Sequence, residues 1–259
     1  MKSMLRSAPN VNFGWDWPLI MAFIRLPLAL VGSSIAILAY RLSGNPIGIA
    51  AGLSWSTLTL TIVNLICFCL LVWRSQVEGF DLKEIVGFQW HSLIRDILWG
   101  LVWSLMLGGL LLIGIFMVVF ALYGTDGFAS IQAMFVGGAN FSFRLPTWLA
   151  LVSAVAFPLL NPLVEELQYR GYAQPRLIAS TRSVWIGIVV TAAGFGLQHV
   201  VFAVTLASAV AYIVGFFLWG LGAGLIVNHQ GRLVPLIVAH FISNFSFGVI
   251  PLILIAGGK

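Results

Sequence analysis

Glu165-Glu166-Leu167-Gln168-Tyr169-Arg170-Gly171 sets two adjacent carboxylates and a guanidinium into a chain in which 8% of residues are charged and 60% are hydrophobic. On insertion scales a charged side chain at the centre of a bilayer costs roughly 2.5–3.5 kcal/mol. Three of them this close together need a reason, and an ionisable group inside a span is read first as part of a functional site. The rest of the chain makes this a span. Mean hydropathy is +1.03, and apolar runs of about twenty residues recur, the length a helix needs to cross the hydrocarbon core. Backbone groups in lipid must bond within their own segment, as a helix allows. The strand-like alternation of a barrel is missing. The sequence predicts an all-α, polytopic transmembrane helical bundle and excludes a soluble domain.

Working outward, Pro158-Leu159-Leu160-Asn161-Pro162 precedes the motif. Two prolines four apart remove two donors and crowd the turns before them, which predicts a break there. A new helical segment is expected to start near Pro162, a good first-turn residue, and to run to about Ser180. Further spans are expected over 183–202, 204–228 and 232–256 on one side and over 18–41, 50–73 and 97–123 on the other, seven in all. Residues 124–146, with Gly127, Gly137, Gly138 and Asn140, read as a loop, re-entrant in part; an eighth span would have to come from there. Residues 74–96 interleave charges with Phe80, Leu82, Ile85, Val86, Phe88 and Trp90 and suit an interfacial amphipathic segment, with His91 wet. The chain divides into residues 1–146, the amino-terminal helices and interfacial segment, and 147–256, which carries the polar motifs. The two are expected to pack as one membrane domain.

Lone residues have plainer readings. Arg25, near one end of the first span, is expected to snorkel to the interface, with a pairing role as the alternative. Cys67 and Cys69 point about 200° apart on a helix and read as packing or lipid-facing residues. Gly220 and Gly224 form a small-xxx-small pair suited to a close helix contact. The net charge of +5 is spread over connecting segments and does not point to nucleic acid. It reports orientation instead. With the amino terminus in the cytoplasm, the inside segments hold nine basic residues (Lys2, Arg6, Arg74, Lys83, Arg95, Arg170, Arg176, Arg182, Arg232) and the outside three (Arg41, Arg144, Lys259), the bias expected of that orientation.

Three polar clusters stand out in the carboxy-terminal half. In the first, Glu166 and Arg170 share a helix face and can pair, whereas Glu165 points about 100° away. One carboxylate is neutralised locally and the other is left for another task. In the second, Phe195-Gly196-Leu197-Gln198-His199, Phe195 and His199 share a face. In the third, His240-Phe241-Ile242-Ser243-Asn244, His240 and Asn244 do so. At 1.5 Å per residue, Glu165 and His199 lie roughly 22 and 25 Å from the inside boundary, and His240 and Asn244 roughly 12 and 18 Å. Helix tilt absorbs that difference. A carboxylate and a neutral imidazole can together hold and deprotonate a water, and a second imidazole with an amide N–H can stabilise an oxyanion. Ser243 faces away from His240 and Asn244, and no serine or cysteine takes a nucleophile's position. The set points to a water-attack hydrolase acting on an amide within or beside the membrane. Glu165, His199 and His240 could also bind a metal, most plausibly Zn²⁺.

In order and spacing, Glu165-Glu166-x-x-x-Arg170, Phe195-x-x-x-His199 and His240-x-x-x-Asn244 resemble the three motifs of the CPBP intramembrane proteases, which include type II CAAX prenyl endopeptidases and bacterial proteins linked to bacteriocin immunity. The flanks Tyr169-Arg170-Gly171 and Gly231-Arg232-Leu233 match too, and the resemblance covers residues 147–247. It implies a membrane endopeptidase whose cavity opens to the cytosol. Glu165 would be the base, working with His199; His240 and Asn244 would form the oxyanion site; Glu166, Arg170 and Phe195 would support them. A glutamate mechanism without a metal is favoured over a zinc-dependent one. The substrate is expected to be a membrane-associated peptide or lipidated protein, prenylated or not, and the location a bacterial cytoplasmic membrane, since no eukaryotic retention signal is present. The competing class is a non-catalytic membrane protein, a peptide-binding immunity scaffold or a transporter, against which no paired halves are found.

Overall fold

Pro158 and Pro162 do not break their helix. The structure, a computed structural model, describes residues 15–42, 44, 55–136 and 147–256, and one helix runs from Thr147 to Glu166 with both prolines inside it. The expected restart at Pro162 is therefore corrected. The prolines are four apart and both buried, so their missing donors lie on one face, where packed neighbours make such losses tolerable in membrane helices. The irregularity comes later, where Leu167–Ala173 forms a π-helix. Pro175 is its cause. Lacking an N–H, Pro175 cannot bond the carbonyl four residues back, and the Gln174 N–H reaches five back to the Tyr169 carbonyl.

The described helices are, in chain order, α1 (Asp16–Phe23), α2 (Arg25–Leu42), α3 (Ser56–Glu78), the short α4 (Leu82–Val86), α5 (Leu93–Tyr123), α6 (Gly127–Val136), α7 (Thr147–Glu166), α8 (Gln174–Thr181), α9 (Val184–Gln198), α10 (Leu206–Gln230) and α11 (Val234–Ala256). The π segment joins α7 to α8, and a 3-10 turn at His199–Phe202 follows α9. The expected first span is thus split at Ile24. Pro27 cannot bond Phe23, and the helix parts there. Where a loop was expected, α6 is helical, and a Cβ on Gly127 would strike the Phe120 ring at 2.8 Å, so the glycine permits a tight return onto α5. The rest of that loop, 137–146, lies outside the described residues, as do Lys2, Arg6, Arg144 and Lys259 from the charge count and the first residues of the expected second span.

Among the described residues, five helical stretches are long and apolar enough to cross a membrane: Asp16–Ala39, Ser56–Glu78, Leu82–Phe135, Val184–Phe202 and Leu206–Gln230. A shorter apolar helix covers Val234–Ser246. Broad faces of α5 expose Leu98, Leu101, Leu105, Leu112 and Met117, as a lipid solvent allows. The segment carrying the acidic motif is different, because every residue from Val164 to Ile178 is buried. It is flanked by α3 and α11 along α7 and by α1 and α9 along the π segment, while α10 packs on α5 and α9. Gly220 and Gly224 pack against Ala192 and Ile188 of α9, a contact within one chain.

The segment 74–96 is less wet than its charges suggest. The Glu78 carboxylate accepts from Arg176 Nη2 at 2.6 Å and from the Tyr172 hydroxyl at 2.6 Å, tying the end of α3 to the π segment and α8. Asp96 pairs with Arg232 at 2.6 Å, tying the start of α5 to the turn before α11. His91 is exposed.

Candidate active site

Glu165 and Glu166 are the last two residues of α7, and neighbours on a helix point about 100° apart, so the two leave in different directions. Glu166 Oε1 accepts from Arg170 Nη1 at 3.3 Å and from His240 Nδ1 at 2.9 Å. Arg170 is sealed in, with Nη2 donating to the Gly220 carbonyl at 3.3 Å and the guanidinium 4.6 Å above the Phe195 ring. This is the local pairing that the i, i+4 spacing predicts.

Glu165 has a partner the sequence reading did not give it. Its Oε1 accepts from Arg25 Nη2 at 2.7 Å and from Gln198 Nε2 at 3.1 Å. Arg25 does not snorkel. It is 0% exposed, and its guanidinium also donates to Gln198 Oε1 at 2.6 Å, Asn64 Oδ1 at 2.8 Å and Asn161 Oδ1 at 3.1 Å. At the joint between α1 and α2 it lies too deep to reach water, and a charge so placed needs a counter-charge and satisfied donors. The other carboxylate oxygen, Glu165 Oε2, is buried without a hydrogen-bond partner and stands 3.6 Å from His240 Nε2. His240 therefore sits between two ion pairs, with one ring nitrogen toward each glutamate.

His199 is placed by other means. Its ring stacks on Phe216, centroids 3.4 Å apart and planes at 10°, and Nδ1 lies 2.6 Å from the Phe195 carbonyl. A carbonyl only accepts, so Nδ1 carries the proton and Nε2 is left as an acceptor. No hydrogen bond or ion pair joins His199 to either glutamate among the described residues. Phe195 stands between the imidazoles, its centroid 4.8 Å from that of His199 and 5.9 Å from that of His240. Asn244, one turn beyond His240, has its Nδ2 buried without a partner.

The motif residues Glu165, Glu166, Arg170, Phe195 and His240 are thus linked in one series of contacts, His199 adjoins them through Phe195, and Asn244 follows on the His240 helix. The sequence reading missed Arg25, Asn64, Asn161 and Gln198. Each carried a signal: a lone arginine inside a span, a lone asparagine in the next apolar run, an asparagine four residues before Glu165, and a glutamine beside His199. Zinc needs three or four donors about 2 Å from one point. No group of three or more His, Cys, Asp and Glu side chains is placed to hold a metal ion among the described residues. His240 Nδ1 is already committed to Glu166. The donor set as arranged does not fit a zinc site.

Residues 146–246 match the family model of the Rce1-like type II CAAX prenyl endopeptidases. No curated protein and no solved structure gives a match. The match over residues 146–246 and the apolar helices together point to an integral membrane protein. The match carries nothing about bacteriocin immunity.

Proposed function

Because residues 146–246 match the family model of the Rce1-like type II CAAX prenyl endopeptidases, we propose that the chain is an intramembrane endopeptidase with Glu165 as its general base. The observation that carries this is a matched pair of buried atoms without partners, the acceptor Glu165 Oε2 and the donor Asn244 Nδ2. Leaving such groups dry and unpaired costs about 1–3 kcal/mol each. A water on the first and a substrate carbonyl on the second would satisfy both.

A water seated on Glu165 Oε2 gives one proton to the carboxylate and directs its second hydrogen at the acceptor Nε2 of His199. Its oxygen attacks the scissile carbonyl carbon, and the carbonyl electron pair moves onto oxygen. That oxyanion takes the Asn244 N–H and the Nε2–H of His240. With Nδ1–H donated to Glu166, His240 offers a second proton only as the imidazolium. Before attack two arginines balance two glutamates and the imidazolium leaves one positive charge; attack neutralises Glu165 and places the negative charge on the oxyanion beside the imidazolium, so the sum is unchanged. On collapse the C–N bond breaks, and Glu165 returns its proton to the leaving amine.

The substrate class is a membrane-associated peptide, prenylated and CAAX-like or unprenylated, reached from the cytosolic side, with the amino terminus cytosolic by the Lys and Arg count. The test is incubation of purified protein with prenylated and unprenylated carboxy-terminal peptides, read by mass spectrometry, with metal content measured on the same sample. Cleavage that resists chelators is expected. Absence of cleavage across the panel counts against the peptidase, and stoichiometric zinc lost together with activity overturns the metal-free route.

A further inference from the structure

Arg25 lies outside the segment matched by the family model, 146–246, yet its guanidinium closes a ring of hydrogen bonds on Glu165. Arg25 Nε donates to Gln198 Oε1 at 2.6 Å, Gln198 Nε2 donates to Glu165 Oε1 at 3.1 Å, and Arg25 Nη2 donates to the same Oε1 at 2.7 Å. All three residues are 2% exposed or less. Both bonds that the ring makes to Glu165 fall on one carboxylate oxygen, and Oε2 is left without a partner. Gln198 is also the last residue of α9, immediately before His199. The ring therefore fixes the carboxylate plane and ties it to the turn that presents the His199 imidazole.

We propose that Arg25 and Gln198 are the positioning residues of this site, holding one oxygen of Glu165 so that the other is bare and aimed at the reacting water. The inference rests on Glu165 being the base. A carboxylate's terminal torsion is broad and soft, so a single ion pair would leave Oε2 free to swing. Two donors from different elements, linked to each other, do not. The planar guanidinium is needed for this, because Nε and Nη2 bond in one plane and a lysine ammonium is a point charge that cannot reproduce the fork. Asn64 and Asn161 hold the far side of the same nitrogen at 2.8 and 3.1 Å. The first two helices thereby orient a reactive group on α7.

The test compares wild type, Glu165→Gln, Arg25→Lys and Gln198→Met on one cleaved peptide, each purified and its thermal midpoint measured. Misplacing a reacting group by about 1 Å costs roughly 10²-fold. Arg25→Lys, which keeps the charge, and Gln198→Met, which leaves every charge in place, are each expected to lower kcat by about that factor with KM unchanged. The double variant is expected to be no worse than either, since both break one ring. If Glu165→Gln still turns over, the base assignment has failed, and the positioning role with it. If Glu165→Gln is inactive but both ring variants keep kcat within about threefold of wild type, the positioning role alone has failed. Should Arg25→Lys not fold, Gln198→Met decides by the same criterion.

Discussion

Glu165 and Glu166 are neighbours in the chain and are held in opposite ways. Glu166 is paired with Arg170 on the next turn of its own segment, at 3.3 Å, under a lid of aromatic rings. Glu165 is paired with Arg25, 140 positions away, through a set that needs α2, α3, α7 and α9 all in place. The near arm is written into one stretch of helix. The far arm exists only when the bundle has assembled. A packing error should therefore reach Glu165 first, and the two glutamates should fail differently when tested.

The largest expected effect is on the far arm. Glu165→Gln keeps a carbonyl oxygen for Arg25 and Gln198, so the protein should insert and purify with its thermal midpoint close to wild type. It removes the base, and general-base contributions run to roughly 10²–10⁴-fold in rate. A defined peptide assay checks this, and turnover near wild type would end the contrast. On the near arm the expected loss is in stability. Arg170→Ala strands Glu166 beside His240, and Glu166→Gln strands Arg170 among rings. Removing one partner of a buried pair costs roughly 3–5 kcal/mol, visible as lost yield and a lowered midpoint as well as lost activity. If both variants match Glu165→Gln in stability, the glutamates do not divide their roles in this way.

The same contrast explains what could be read without coordinates. The helical bundle followed from composition and run length, and the Glu166–Arg170 pair from one spacing rule. The three polar motifs lie in a window where order and spacing say enough. Arg25 could not be assigned, because a single arginine near the end of a span looks alike whether it snorkels or turns inward. Only the placement of Asn64, Asn161 and Gln198 decides between the two. The helix break went to the wrong prolines for a related reason. Pro158 and Pro162 sit in a face that packing protects, whereas Pro175, in an ordinary first-turn position, follows directly on the widened turn.

A smaller effect tests how the far arm depends on packing. A Cβ on Gly194 of α9 would overlap the carbonyl oxygen of Ala22 on α1, three residues before Arg25. Gly194→Ala must push α1 from α9, and overpacking of this sort costs roughly 1–3 kcal/mol. The displaced joint carries Arg25 away from Gln198. Turnover per folded molecule is expected to drop along with the midpoint, as measured by kcat and thermal unfolding on one preparation. A lowered midpoint with kcat unchanged would mean that the Arg25 arm tolerates movement and is less tightly specified than its distances suggest.

The smallest expected effect is a control that should touch neither arm. Thr205 caps α10: its Oγ1 accepts from the Ser208 N–H at 3.0 Å, and Ser208 Oγ accepts from the Thr205 N–H at 3.0 Å. The Thr205 hydroxyl also donates to the Met134 carbonyl at 2.8 Å, linking α10 to α6. Thr205→Ala loses a cap worth about 1 kcal/mol. The damage should stay in the first turn, because Trp219 and Gly220, which enclose Arg170, lie roughly 20 Å further along the helix. The expected result is a modestly lower midpoint with kcat and KM unchanged. A fall in turnover comparable to that of Gly194→Ala would mean that any loosening of the bundle reaches the site, in which case the sensitivity of Glu165 belongs to the whole membrane domain and not to the Arg25 arm.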